Sequence, residues 1–152
     1  MIGEEIYDFA HELWPIGRSL TGPGVRETLL KIKQHVPDLQ IKSIPSGTKV
    51  FDWTVPREWL VREAYIITPS GKKICDYSVN NLHLLGYSSP FEGEINLEEL
   101  KQHLHTLPEQ PNAIPYVTSY YQERWGFCIS FDDLNNLENG RYYVKVDTFF
   151  FD

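Results

Sequence analysis

Cysteine is scarce in this sequence, with two in 152 residues, and Cys75 and Cys128 are too far apart for a metal knuckle and too few for a disulfide framework. Both are read as buried thiols. Basic runs are missing, and a net charge of −7 with a pI near 5.2 argues against nucleic acid, whose phosphates need clustered Lys and Arg. No apolar stretch approaches the roughly 20 residues that cross a bilayer, and the opening Met1-Ile-Gly-Glu-Glu lacks the basic and apolar regions of a signal peptide. The expectation is a cytoplasmic protein without membrane or nucleic-acid partners. Internal repeats and low-complexity segments are also absent.

Metal-binding and nucleophile signatures are missing as well. The histidines are His11, His35, His83, His103 and His105, and none forms the i, i+4 pair with an intervening Glu that sets two ligands on one helix face. His11-Glu12 runs into Leu13-Trp14-Pro15, and His103 and His105 would point to different sides of a helix. No Ser lies in a Gly-x-Ser-x-Gly setting. Gly22-Pro23-Gly24 lacks the spacing and Lys of a phosphate loop, so helix initiation is the better reading. Catalytic and metal-ligating residues are therefore expected to number none in this chain.

Aromatic residues are abundant: 9 Tyr, 8 Phe and 4 Trp make up 14% of the chain. A chain of this length buries about two thirds of its unfolded surface, enough for one core. Residues 3–13 place Ile6, Phe9, Ala10 and Leu13 at helical spacing, and Val25, Leu29, Ile32 and Val36 form a second stripe that Pro37 stops. Residues 39–44 alternate as a strand, residues 59–68 and 73–77 read as a hairpin around Pro69-Ser70-Gly71, and residues 81–87 as a further strand. Asn96 caps a short helix, residues 106–115 are irregular, residues 125–130 form a core strand, residues 131–137 a helical turn, and residues 141–147 a strand with Tyr142, Val144 and Val146 on one face. Phe149 to Phe151 would leave apolar surface in need of cover. The fold class expected is α+β: two N-terminal helices, then a mostly antiparallel β-rich domain with one short helix.

The densest aromatic stretch, residues 113–130 (AIPYVTSYYQERWGFCIS), joins residues 14–26 (WPIGRSLTGPGVR) and 45–56 (PSGTKVFDWTVP) as three long motifs in one order. Together they resemble the N-terminal part of the bacterial aminopeptidase-like proteins, relatives of di-zinc aminopeptidases often encoded near polysaccharide biosynthesis genes. The resemblance covers nearly the whole chain. It implies that residues 1–37 are helices of a peptidase body and residues 38–152 a β-rich lid. It implies no cofactor in this chain and zinc in the parent family, whose first metal motif follows the matching segment. The partner implied is a peptidase-domain chain, or a second copy through self-association. This sequence departs from the relatives at Gly17, where they usually carry Cys, and at Phe131, where they usually carry His.

Arg18, Asp52, Trp53, Tyr120, Tyr121, Arg124 and Trp125 are the candidate substrate-binding residues, because Arg beside aromatic rings can stack on them or pair with a carboxylate. An internal Arg-to-Asp pair, for instance with Asp52, explains each Arg singly as well. Two readings follow. In one, the chain is a non-catalytic fragment of an aminopeptidase-like zinc hydrolase that covers a cleft. In the other, it is a stand-alone module recognising an acidic or carbohydrate ligand through the Tyr, Trp and Arg cluster.

Overall fold

The computed structural model describes residues 2–152. Two compact units divide the chain, one running to Leu60 and including Phe150–Asp152, the other Val61–Phe149. The class is α+β, with helices and mostly antiparallel strands.

The first unit contains helices α1 (Ile2–Leu13) and α2 (Pro23–His35). Glu4 and Glu5 sit in the first turn of α1, where the helix dipole favours negative charge, and Pro23 opens α2 at a position whose N–H would be unused anyway. The helices touch through the edge-on contact of Phe9 with His35 and the Lys31–Glu12 ion pair at 2.5 Å. Gly24 lets the preceding loop approach α2 closely, because a Cβ there would lie 2.2 Å from the Gly17 carbonyl oxygen. Strands β1 (Lys49–Val50) and β2 (Trp53–Thr54) form a minimal hairpin around Phe51, which holds φ at 55°. Residues 39–44 form no strand, contrary to the alternation in their sequence. They have no ladder partner, and Ile41 and Ile44 are exposed.

A four-stranded sheet carries the second unit. Its order is β4 (Lys73–Ile74), β3 (Glu58–Ile67), β8 (Arg141–Phe151) and β5 (Phe91–Asn96). Alternation sets the register: Tyr142, Val144, Val146 and Thr148 of β8 are buried with Ala64 and Ile66 of β3 and Ile95 of β5. The intervening residues carry charge, with Lys145 at 3.0 Å from Glu63 and Tyr143 donating to Glu92 at 2.5 Å. These carboxylates raise the Lys145 pKa, the hydrogen bond to Glu63 contributing most.

The expected return strand 73–77 is shorter than its sequence suggests, because Cys75 turns at φ 50°. Residues 81–87 are not a strand. Asn80 accepts a hydrogen bond from the Leu82 amide and starts a 3-10 turn at Asn81–His83, and Tyr87 then turns the chain at φ 64°. The core strand expected at 125–130 reduces to β7 (Phe127–Cys128), which pairs in parallel with β6 (Leu104–His105). Helix α3 (Leu97–Lys101) begins at Asn96, whose side chain accepts from the Glu99 amide at 2.9 Å, and buries Leu100 completely. Helix α4 (Phe131–Asn135) is capped the same way by Ser130.

Candidate functional site

The seven residues singled out in the sequence fall in different units. In the first unit, Arg18 donates to the Leu13 carbonyl at 2.5 Å, Trp53 is half-buried in β2, and Asp52 is exposed beside it. In the second, Tyr120 packs edge-on against Tyr87 and shares a 2.9 Å hydrogen bond with Tyr116. Tyr121 is exposed, and Arg124 donates to the Thr118 carbonyl at 3.2 Å. Both Arg18 and Arg124 thus bond backbone carbonyls within their own stretches. The Trp125 indole is stacked with His103 at 3.7 Å and with Phe91 at 4.3 Å. Its carbonyl accepts from His103 Nδ1 at 3.1 Å, which fixes that imidazole beside the ring. His105 nearby has its pKa lowered, first by burial and then by Arg124 and His103.

A second group of residues, unmarked in the sequence, lines a cavity of about 570 Å³ wholly within the second unit. One wall is the turn between β3 and β4, with Thr68, Ser70 and Lys73. Cys75, Asp76, His83, Asp133 of α4 and the segment to Tyr142 also line it. The side chains hold one another. Lys73 lies 2.6 Å from Asp76 and over the Tyr65 ring, and the Ser70 amide and hydroxyl both donate to Glu138. Tyr142 donates to the Glu138 carbonyl at 2.6 Å, and Ser130 donates to Asp133 at 2.6 Å.

The electrostatics follow from these bonds. Burial alone would raise the Asp76 carboxyl, but the hydrogen bonds from Lys73 and Ser78 together hold it below its ordinary range. The bonds from Ser70 lower Glu138. Burial, with the Asp133 charge added, pushes the Cys75 thiol up to about 12, and burial pushes Cys128 up to about 11, so neither is a poised thiolate. Among the described residues, no three His, Cys, Asp or Glu side chains converge as a metal site. Nor is any helix among them long and apolar enough to cross a membrane.

Residues 58–149 match the family described as Domain of unknown function (DUF2172), and the chain belongs to it. The match takes in all of β3, the cavity and nearly all of β8. Among curated proteins, the chain is 47% identical over 146 residues to one from Clostridium acetobutylicum, provisionally named a polysaccharide biosynthesis protein with an aminopeptidase-like domain. That match takes in 96% of this chain and 33% of the relative. Among solved structures, a protein of the same organism provisionally named a peptidase superposes with a TM-score of 0.92 at 46% identity, over 99% of this chain and 36% of the other. The chain therefore spans about a third of the length of the relatives it matches, in keeping with the resemblance to aminopeptidase-like proteins carried by its three motifs.

Proposed function

We propose that this chain is the non-catalytic N-terminal part of an aminopeptidase-like zinc hydrolase, with residues 1–37 as helices of the peptidase body and residues 38–152 as a lid over the substrate cleft. In this reading zinc belongs to the remaining two thirds of such a protein. Cytoplasmic placement is part of the same reading.

The observation that carries it is where the apolar surface lies. Among the described residues, ten of the thirteen exposed large apolar side chains precede Leu60, Ile2, Ile6, Tyr7 and Leu30 among them, and α1 has no buried residue. An amphipathic helix draws most of its stability from the face it buries. A face this open suits a helix whose packing partner lies in the rest of the parent protein, and a second copy of the chain is the substitute available to the fragment. Recognition of an acidic or carbohydrate ligand through Tyr120, Tyr121, Arg124 and Trp125 has less support, because Arg124 and Trp125 already have partners inside their own unit.

The test is size-exclusion chromatography with light scattering on the purified chain, with metal analysis and an aminoacyl chromogenic substrate applied to the same fractions. The expected result is concentration-dependent association that Ile6→Asp with Leu30→Asp suppresses, without turnover. Stoichiometric zinc with turnover would overturn the proposal, and a clean monomer at all concentrations would remove its docking element.

A further inference from the structure

The cavity in the second unit has an unequal hydrogen-bond inventory. Apart from the exposed Lys72 ammonium, its protein donors are largely committed to protein acceptors. Lys73 is placed on Asp76, Ser70 donates to Glu138, and Tyr142 donates to the Glu138 carbonyl. Asn136 uses its Nδ2 on the Asp132 carbonyl at 2.8 Å, and His83 sits with Nδ1 at 2.9 Å from the Cys128 carbonyl, an acceptor only, so that nitrogen carries the proton.

What remains on these side chains is acceptor capacity. Asp133 receives Ser130 on Oδ2, leaving Oδ1 without a hydrogen bond among the described residues. The Asn136 amide oxygen, His83 Nε2 in the neutral ring and the Tyr142 oxygen lone pairs accept as well. Charge points the same way, since the lining holds three carboxylates, Asp76, Asp133 and Glu138, against the two ammonium groups of Lys72 and Lys73. A ligand that satisfies this wall has to bring donors and positive charge. Apolar side chains, Ile74, Val79 and Leu137, complete the lining and would cover a carbon skeleton.

We infer that this cavity binds a small, hydroxyl-rich primary ammonium compound, an amino sugar in class, with its ammonium at Asp133 and its hydroxyls on the Asn136, His83 and Tyr142 acceptors. About 570 Å³ accommodates one or two sugar rings, whereas a phosphorylated or carboxylated sugar would meet a net negative wall. The cavity is contained within one unit. Binding here is a function beyond covering a cleft.

The experiment is a titration of the 15N-labelled full chain with glucosamine, glucose, N-acetylglucosamine and ethylammonium chloride, followed by amide shifts. Glucosamine should shift amides in residues 68–79 and 129–142 at the lowest concentration. Glucose and N-acetylglucosamine, which lack the ammonium, should need about twofold to fivefold more, the ratio that one ion pair with the exposed Asp133 carboxylate supports. Ethylammonium, which lacks the hydroxyls, should also fall behind. Asp133→Asn should erase the preference for glucosamine over glucose. Shifts confined to residues outside the cavity, or equal titration by all four compounds, would overturn the inference. Because the wild-type map decides this, an Asp133 variant that fails to fold leaves the proposal falsifiable.

Discussion

Shortening two apolar side chains should separate the packed part of the chain from the part that waits for a partner. Leu100 of α3 is fully buried, and Leu100→Ala removes its side-chain carbons and leaves a cavity in a close-packed region. The cost is about 3 kcal/mol, within the roughly 2–5 kcal/mol range for such truncations. At about 2–4 °C per kcal/mol for a domain of this size, the melting temperature should fall by about 10 °C. Ile6 on α1 is 64% exposed, so only about a third of a burial energy of roughly 1.5–3 kcal/mol is at stake. Alanine's higher helix propensity returns part of it, about 0.4 kcal/mol. Ile6→Ala should therefore move the melting temperature by less than about 2 °C. Both variants would be followed by circular dichroism at low micromolar concentration, where association is minimal. An Ile6 loss as large as that of Leu100 would refute the reasoning, since α1 would then be buried against something in solution.

Removing the Asn96 side chain as Asn96→Ala should cost about 1 kcal/mol, read by urea denaturation, because the Glu99 amide loses its cap. Gly126→Ala should cost about 1–3 kcal/mol by the same assay, since a Cβ there would lie 2.7 Å from the His103 carbonyl oxygen, which already accepts the Phe127 amide. The Glu138 carboxyl, lowered by Ser70, contributes stability that is present above its unfolded pKa of about 4.3 and lost as pH falls through the lower folded value. Ser70→Ala should accordingly flatten the drop in melting temperature between about pH 5 and pH 3, and an unchanged acid slope would show that the bond is not maintained in solution.

Legibility in the sequence followed how local each determinant is. Strand β8 was readable because Tyr142, Val144 and Val146 alternate with Tyr143 and Lys145, while α1 and α2 carry their apolar spacing, and α3 its Asn96 cap, within short local stretches. Residues 39–44 alternate just as well and form no strand, because pattern specifies a face while a strand also needs a hydrogen-bonded neighbour. At 81–87 the apolar content suggested a strand, but one Asx contact at Asn80 and one positive φ at Tyr87 redirect the backbone. The cavity was out of reach for a different reason. Ser70 and Glu138, the pair that fixes one wall, are 68 positions apart, and each is an ordinary turn residue when read alone.

Trp125 shows why a rich local composition is a poor guide to a site. A half-buried indole with Arg124 and two tyrosines close in sequence has the composition of a binding platform, yet its ring is stacked with Phe91 and His103. Phe91 starts β5 and His103 follows α3, so the stack ties the 113–130 stretch to two elements of its own unit. Among the described residues, every buried hydrophobic one except Val55 and Trp59 also belongs to that unit, while the exposed apolar surface is concentrated in the other. A unit with a core of its own can keep a ligand cavity intact whether or not a peptidase body is attached. The open helical face, by contrast, acquires its packing only when a partner arrives. Loss of that face should accordingly abolish association without changing amino-sugar binding, and the two activities should separate by mutation.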